Sequence, residues 1–181
     1  MDFENIWPIF EEAFTSEFRR SREGQAALLK NPKYHLHIYG QQEDSPAGFM
    51  GCWHFDDFIF VEHFAVDKNL RGKGMGAKMM KDLLSESKLV ILEVEEPDTE
   101  INRRRIGFYE RAGLMFHDFP YFQPSFIWGE KPVPLKIMAS RLLSAEEFCK
   151  YREKLFEEVY GMNKEERHAY FQQYRMQQSG C

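Results

Sequence analysis

The sequence predicts an α/β fold in which helices flank a mixed, mostly antiparallel sheet. Three strand-like segments follow one another through short polar turns, which predicts an antiparallel meander over residues 34–66. The third segment leads through a glycine-rich turn into a helix-period segment and then into another strand. A right-handed parallel connection is expected at that point. These patterns together favour one α/β domain.

The domain organisation follows from length and from a change of pattern near the C-terminus. A chain of 181 residues suits a single domain with an appendage. We expect the domain to cover residues 1–143 and a helical extension to cover residues 144–181. Ser144 and Glu147 form a capping-box pattern at its start, and Asn163 is a candidate cap for a second helix. The extension is expected to pack either on the domain or on a second subunit. In the second case the protein would be a homodimer.

Composition excludes several functional classes. The net charge is −5, and the densest basic run is three residues long, so no nucleic-acid partner is expected. No apolar stretch approaches the roughly 20 residues of a membrane span, and the first residues do not resemble a signal peptide. The three cysteines, at positions 52, 149 and 181, form no paired framework. The chain is therefore expected in a reducing cytoplasm.

The first 31 residues predict two helices. Ile6, Phe10 and Phe14 share one helical face, and Asn31-Pro32 ends the second helix. The charged connection over residues 15–23 is interpreted either as a solvated loop or as a functional segment.

The strand over residues 58–66 and the segment after it have the pattern of an anion site. The strand is apolar on both faces, which is typical of a central strand. A turn follows, and then Arg71-Gly72-Lys73-Gly74-Met75-Gly76 opens a helix-period segment. Glycines allow backbone N–H groups to turn towards a phosphate, and the helix dipole adds positive potential. The sequence therefore predicts a ligand that carries phosphate.

Two other phosphate-binding patterns were compared with this segment. A Walker A loop is excluded, because no Ser or Thr follows either lysine. Gly72, Gly74 and Ala77 satisfy the dinucleotide pattern G-x-G-x-x-A, and Glu93 lies where a ribose-binding acid would be expected. The five residues that separate strand and loop count against this pattern, as do the hairpin strands upstream. An NAD-dependent enzyme remains an alternative.

The segment resembles the acetyl-coenzyme A loop of the GNAT superfamily of N-acetyltransferases. Arg71, Gly74 and Gly76 fill the pattern Q/R-x-x-G-x-G/A, and residues 64–67 resemble the end of the preceding strand in that family. Residues 102–114 resemble a second family element, N-x-x-A-x-x-F-Y-x-x-x-G-F, with Arg105 in place of the alanine. The resemblance covers about residues 34–140. Family members usually open with a strand, which here is either missing or very short. In the family, the connection between the first two helices closes over the acceptor, so the resemblance implies that residues 15–23 would help to select it.

The resemblance implies an acetyl-coenzyme A-dependent N-acetyltransferase whose acceptor is a small-molecule amine or a protein amine. Asn102 would hold the pantetheine amides, and Tyr109 would protonate the leaving thiolate. The pyrophosphate would lie on the loop, and backbone N–H groups at the strand end would hold the thioester oxygen. The residues implied for these two backbone roles are Arg71, Gly72, Lys73, Gly74, Met75 and Gly76 in the loop and Phe64, Ala65 and Val66 in the strand.

Glu62 is the first candidate for the general base, because a carboxylate in a central strand needs either a partner or a wet cleft. One interpretation is a buried ion pair, for example with an arginine at 103–105. The other is a base that faces the substrate amine, since burial raises the pKa of a carboxylate, and many GNAT enzymes are similar in this respect. Glu93 and Glu95 are rival candidates on the next strand, with Glu95 closer to its solvated end.

Three further interpretations concern metals, an aromatic loop and activity. A hairpin could bring together three histidines, His35, His37 and His54. The pair His35 and His37, at i and i+2, is not followed by a further ligand at the spacing of a known metal motif, so no metal is expected. Residues 120–128 form an aromatic loop that either walls an acceptor pocket or covers the core. A coenzyme A-binding module without transferase activity remains a second alternative.

Overall fold

The computed structural model describes residues 2–42, 45–127 and 130–176. The helices are α1 (Phe3–Ala13), α2 (Arg22–Ala27), α3 (Met75–Leu84), α4 (Glu100–Arg111), α5 (Ala145–Lys154) and α6 (Lys164–Gln173). The strands are β1 (Tyr34–Gln42), β2 (Ser45–His54), β3 (Phe58–Val66), β4 (Leu89–Glu95), β5 (Met115–His117), β6 (Phe122–Gln123) and β7 (Val133–Ala139). A π-helical turn, Leu155–Val159, continues α5.

The chain forms two compact units. The first comprises Met1–Leu92 with Ser125–Glu130, and the second comprises Glu93–Pro124 with Lys131–Cys181. In the first unit, β1 pairs with β2 and β2 pairs with β3, both antiparallel. α3 then connects β3 to β4. These two strands pair in parallel, residues 58–61 with residues 89–92. In the second unit, β5 and β6 both pair antiparallel with β7.

β3 carries a bulge at Glu62. Val61 pairs with Cys52 and His63 pairs with Gly51, so Glu62 is an extra residue between two consecutive pairs. An extra residue bends the strand locally and changes the direction of its side chains. The bulge therefore interrupts the regular alternation of β3 at the position that the sequence singled out as the candidate base.

α1 packs an aromatic face on β2 and β3. Asp2 caps the helix, because its carboxylate accepts a hydrogen bond from the Asn5 backbone N–H at 3.2 Å. Phe10 is fully buried, and its ring stacks on that of Phe49 with centroids 5.0 Å apart. The buried cluster at this contact comprises Phe3, Ile6, Trp7, Ile9, Phe10, Phe49 and Ala65.

The helices of the C-terminal segment pack around an aromatic cluster within the second unit. Phe148 of α5 stacks on Phe119, with ring centroids 4.3 Å apart. Phe156 contacts Tyr121 and Phe171 edge to face, at 5.8 and 4.9 Å between centroids. These contacts agree with an extension that packs on its own chain, and the boundary between residues 143 and 144 stays a prediction.

The structure confirms the predicted α/β fold class, with mostly antiparallel strand pairings and flanking helices. No strand precedes Tyr34 within residues 2–42, so the first strand usual in the resembling family is missing from that stretch. Both predicted caps of the C-terminal helices are present, at Ser144 and Asn163. β6 was not predicted, because a two-residue strand is too short to show an alternating pattern.

Two features bear on the predicted cytoplasmic location. Cys149 is disulfide-bonded, whereas Cys52 is free and buried. The expectation that the cysteines form no pair is therefore wrong for Cys149, and cysteine usage no longer supports a reducing compartment. None of the helices in the described ranges is long and apolar enough to cross a membrane. The cytoplasmic location remains a prediction.

Candidate active site

The glycine-rich loop between β3 and α3 adopts a left-handed backbone at two positions. Gly72 has φ of +77° and Gly74 has φ of +83°. Glycine adopts such angles without steric cost, whereas other residues rarely do. A Cβ atom at either position would meet nothing within 4 Å. The sign of φ, and not a lack of space, therefore requires glycine at these two positions.

α3 begins where this loop ends. Gly74 is the N-cap and Met75 is the first helical residue, with Gly76 in the first turn. The first backbone N–H groups of a helix have no intrahelical partner, and the helix dipole places partial positive charge beside them. Lys73 adds an exposed ammonium group. The loop and the start of α3 can therefore hold a phosphate or diphosphate group.

Arg71 makes two contacts with its own unit. Its Nε donates a hydrogen bond to the Val66 carbonyl oxygen at 3.1 Å, and its Nη2 forms an ion pair with Glu12 of α1. About half of the Arg71 side chain is exposed (51%). A phosphate bound by Arg71 would compete with the Glu12 carboxylate.

The end of β3 lies beside β2. Residues 64–66 pair in reverse order with residues 48–50. A Cβ atom on Gly48 would approach the Ala65 carbonyl oxygen to 2.5 Å, so glycine at this position permits the close approach of the two strands. The role of the N–H groups of residues 64–66 towards a thioester stays a prediction.

Glu62 is buried and ion-paired. Its Oε1 accepts a hydrogen bond from Nη1 of Arg20 at 2.5 Å, and its Oε2 accepts one from Nε1 of Trp53 at 2.9 Å. The Glu62 and Arg20 side chains are 4% and 16% exposed. The predicted buried ion pair is thus present in the first unit, but its cation is Arg20 and not an arginine at 103–105.

The arginines of α4 have other partners. Arg103 donates hydrogen bonds to the carbonyl oxygens of Pro97 and Asp98, at 2.8 and 3.0 Å. Arg105 forms an ion pair with Glu95 on the exposed side of α4. This contact explains how arginine is accommodated where the family usually has alanine.

His63 lies beside Glu62 and is buried. Its Nε2 donates a hydrogen bond to the Phe18 carbonyl oxygen at 3.0 Å, and its Nδ1 lies 3.7 Å from Oε2 of Glu62. The ring packs between Phe10 and Phe14, with centroids 4.6 and 4.7 Å away. Burial lowers the pKa of His63, although the Glu62 carboxylate opposes this shift. The imidazole is therefore neutral at physiological pH.

The charged connection over residues 15–23, for which two interpretations were open, supplies Arg20 and the Phe18 carbonyl to this cluster. The Arg20 guanidinium also lies 4.4 Å from the ring centroid of Phe126, which comes from the predicted aromatic loop. Such a cation–π contact stabilises the orientation of the arginine. Residues from both loops therefore lie near Glu62, and the roles of the two loops stay predictions.

Asn102 and Tyr109 lie in α4, in the second unit. Nδ2 of Asn102 donates hydrogen bonds to the Glu96 carbonyl oxygen and to Oδ1 of Asp98, both at 3.0 Å. Tyr109 is 7% exposed, and burial raises its pKa to about 12 against the opposing effect of Arg105. A phenol with this pKa keeps its proton at neutral pH.

Glu93 accepts hydrogen bonds from two tyrosine hydroxyl groups in the second unit. Oη of Tyr160 lies 2.9 and 3.0 Å from the two carboxylate oxygens, and Oη of Tyr121 donates to Oε1. Burial, followed by the nearby Glu93 carboxylate, raises the pKa of Tyr121 well above its usual range. Both hydroxyl groups are neutral donors to Glu93.

The structure groups the predicted residues into two sets. Glu62, residues 64–66 and residues 71–76 belong to the first unit, and Glu93, Asn102 and Tyr109 belong to the second. Sequence analysis missed the partners of the two carboxylates, which are Arg20, Trp53, His63, Tyr121 and Tyr160. Two of these partners had a signal in the sequence. Arg20 belongs to the charged connection over residues 15–23, and His63 is the polar residue next to Glu62.

Comparison with known proteins identifies the family. The family model "Acetyltransferase (GNAT) family" matches residues 3–114. YjbC of Bacillus subtilis (strain 168), a protein assigned to the acetyltransferases, is 36% identical over 110 residues. That match covers 59% of this chain and 55% of YjbC, so the chain matches about half the length of this relative.

Two solved structures are similar to this chain. A protein of Bacteroides thetaiotaomicron assigned to the GNAT acetyltransferases is 32% identical, with a TM-score of 0.82 over 89% of this chain and 93% of that one. Aminoglycoside 6'-N-acetyltransferase complexed with coenzyme A is 14% identical, with a TM-score of 0.54 over 75% and 88% of the chains. The second likeness concerns the fold alone. The family model and the first structure together show that the chain belongs to the GNAT family of acetyltransferases.

Proposed function

We propose that this protein transfers the acetyl group of acetyl-coenzyme A to a primary amine. The observation that supports this most strongly is the loop of residues 71–76, whose left-handed glycines open α3 in a chain of the GNAT family. The aminoglycoside N-acetyltransferase of the same fold was solved with coenzyme A. The co-substrate proposed here has the diphosphate group that such a loop binds.

The loop is proposed to bind the diphosphate through backbone N–H groups at residues 72–76 and the positive end of α3. Lys73 supplies an exposed positive charge near the same groups. Arg71 would exchange its ion pair with Glu12 for one with a phosphate oxygen. We further propose that Asn102 contacts the pantetheine portion and that N–H groups of residues 64–66 stabilise the charge on the thioester oxygen.

The proposed reaction is a direct attack without a covalent enzyme intermediate. The neutral amine nitrogen attacks the acetyl carbon, the new C–N bond forms and the C–S bond breaks. The amine releases one proton to a carboxylate, either directly or through water, and Tyr109 donates one proton to the departing sulfur. Glu62 is the proposed base and Glu93 the rival. For Glu62 to act, the amine or a water must replace Arg20 or Trp53 at one carboxylate oxygen.

The acceptor is proposed to be a small-molecule amine or a protein amine, and not a nucleic acid. The net charge of −5 favours a cationic acceptor through long-range attraction. Polyamines, aminoglycosides and lysine side chains all meet this requirement. The loop of residues 15–23 is proposed to contribute to the choice, because its Arg20 already contacts Glu62.

Thiol release from acetyl-coenzyme A, measured with a panel of these amines, tests the proposal. We expect at least one amine to raise the release rate above the rate of hydrolysis and to yield an N-acetylated product by mass spectrometry. Binding of acetyl-coenzyme A without acetylation of any amine in the panel would favour the non-catalytic binding module instead. A matched control with oxidised coenzyme A should give no product.

Replacement of Tyr109 by phenylalanine tests the proposed acid. Tyr109→Phe removes only a hydroxyl group, so we expect slower turnover at an unchanged affinity for acetyl-coenzyme A. Loss of a general acid costs about 10²-fold or more. The measurement is the rate of thiol release at saturating co-substrate, together with the thermal shift caused by acetyl-coenzyme A. Unchanged turnover would remove the acid role from Tyr109.

A further inference from the structure

Three side chains outside the proposed acetyl-transfer site converge on the hairpin of β1 and β2. His37 lies on β1, His54 ends β2, and Glu86 follows α3. One potential ligand atom of each residue lies within 4.8 Å of those of the other two. The sequence suggested His35 as the third member and gave no partner from elsewhere. The structure supplies Glu86, which is more than thirty residues further along the chain.

The distance between the two imidazoles fits a shared metal ion. Nε2 of His37 lies 3.4 Å from Nε2 of His54. Two nitrogens that bind zinc at about 2.0–2.1 Å with a tetrahedral angle lie about 3.3–3.4 Å apart. The same distance is long for a direct hydrogen bond, which is usually about 2.7–3.2 Å. The arrangement therefore matches two ligands of one ion better than a donor and an acceptor.

His35 is oriented differently from His37 and His54. Its Nε2 donates a hydrogen bond to the Pro32 carbonyl oxygen at 3.2 Å, so this nitrogen already has a partner. The ring packs on that of His54, with centroids 4.3 Å apart. His35 thus supports the ring of His54 and does not direct a nitrogen at the shared position.

Glu86 is held close to the imidazoles by its backbone. Its N–H donates to the Leu83 carbonyl oxygen at 3.1 Å, and the next residue, Ser87, has φ of +59°. Its Oε2 lies 3.8 Å from Nδ1 of His54, which is the ring nitrogen other than the one next to His37. The distance that bears on a shared ion is the limit of 4.8 Å between one ligand atom of Glu86 and one of each imidazole. A carboxylate near the C-terminus of α3 adds negative charge where the helix dipole is already negative, which favours a cation.

The charges nearest the cluster are of both signs. Glu86 supplies a carboxylate to the cluster, whereas Lys88 is a nearby cation. The Lys88 Nζ donates a hydrogen bond to the Phe55 carbonyl oxygen at 3.0 Å, so its ammonium group already has a backbone partner.

We propose that His37, His54 and Glu86 bind one divalent transition-metal ion, with zinc as the best match. Two imidazoles and one carboxylate form a borderline-soft ligand set, which prefers zinc to magnesium or calcium, and water would complete the coordination. The ion would link the β1–β2 hairpin to the end of α3. Since α3 starts at the proposed diphosphate loop, the ion would stabilise that helix from its other end. This inference does not depend on the proposed acetyl transfer.

Zinc binding by full-length protein without an affinity tag tests the inference. Metals are first removed with a chelator. We then expect the protein to bind one zinc ion per chain in competition with a chromophoric chelator, and to bind magnesium with much lower affinity. Cobalt should give visible absorption bands of a tetrahedral or five-coordinate site. Zinc should also raise the melting temperature of the chelator-treated protein.

Variants identify the ligands. His37→Ala and His54→Ala should each weaken zinc binding at least tenfold and abolish the thermal shift, and Glu86→Gln should also weaken it. His168→Ala, at an exposed histidine of α6, is the matched control and should bind zinc as the unmodified protein does. Each variant is first compared in chelator, where equal melting temperatures show that folding is intact.

Two results would overturn the inference. One is the absence of stoichiometric zinc binding at micromolar protein concentration. The other is binding that survives in both His37→Ala and His54→Ala. A loss in His35→Ala as large as that in His37→Ala, with no loss in Glu86→Gln, would contradict the ligand set and replace the carboxylate by the third histidine.

Discussion

Glu62 and Glu93 differ in the partners that hold them. Both are acidic residues on strands of the sheet, and both were candidates for the same catalytic role. Glu62 lies at a bulge of β3 and accepts hydrogen bonds from a guanidinium and an indole. Glu93 of β4 accepts hydrogen bonds from two neutral tyrosine hydroxyl groups. The two carboxylates are therefore stabilised by different kinds of interaction.

The difference matters because a buried carboxylate and its cation depend on each other. Removal of one partner leaves an uncompensated charge in a region of low dielectric constant, which costs several kcal/mol. A carboxylate held by two hydroxyl groups loses one charge-assisted hydrogen bond when one donor is removed, and it keeps the other. Glu62 must therefore keep its cation or exchange it for a cationic substrate. Glu93, in contrast, is held by the C-terminal segment through Tyr160.

The largest expected effect is on turnover. Glu62→Gln removes the proposed base while keeping the volume of the side chain, so we expect thiol release to fall about 10²–10⁴-fold. Glu93→Gln should reduce it less than about tenfold. The rates are measured with the best amine from the panel, and the thermal shift by acetyl-coenzyme A controls for folding. A larger loss in Glu93→Gln would transfer the base role to Glu93.

A smaller effect is expected on stability from Arg20→Ala. This change leaves Glu62 buried without its cation, and we expect the free energy of unfolding in urea to fall by about 3 kcal/mol. Tyr160→Phe is the matched variant in the other cluster and should cost less, about 1.5 kcal/mol, since it removes one donor to the Glu93 carboxylate while Tyr121 remains as the other. Equal losses in the two variants would contradict the distinction between the clusters.

The smallest effect concerns pH. The pKa of His63 in the folded protein is lowered, whereas its value in the unfolded chain is about 6.5. Above pH 6.5 both states hold the neutral imidazole, and the contribution to stability is complete. Below pH 6.5 the His63 imidazole is protonated in the unfolded chain but stays neutral in the folded protein. The free energy of unfolding therefore falls by at most about 1.4 kcal/mol per pH unit.

His63→Gln should therefore flatten the dependence of unfolding free energy on pH between 7.5 and 5.5. Glutamine keeps an N–H donor for the Phe18 carbonyl oxygen. His168→Gln, on the exposed face of α6, should leave the dependence unchanged. An identical slope in His63→Gln and the unmodified protein would show that His63 does not titrate as the buried environment requires.

Local patterns predicted the fold and the two motif-bearing elements. The strand, loop and helix around residues 71–76 follow from short spacings, and the caps at Ser144 and Asn163 lie three residues from the groups that they cap. The contacts of the two carboxylates could not be predicted in the same way. Arg20 lies 42 residues from Glu62, and Tyr160 lies 67 residues from Glu93. Such pairs depend on tertiary packing, which the local periodicity of a sequence does not indicate.

The metal expectation illustrates the same limit. The three histidines were visible as a pattern on neighbouring strands, but Glu86 comes from the end of a helix and shares no spacing with them. The bulge at Glu62 was also hidden, because a pairing register is a property of two strands. Sequence analysis thus selected candidate residues, whereas most of their contacts became visible only in the structure.

The most direct test of the account is the thermal stability of the purified protein with acetyl-coenzyme A, coenzyme A, NAD and NADP in parallel. At 100 times its dissociation constant, acetyl-coenzyme A should add about 2.7 kcal/mol to the stability of the folded protein. Gly74→Val should lose this shift, since valine disfavours the φ of +83° found at this position. A shift with NAD and none with acetyl-coenzyme A would contradict the account.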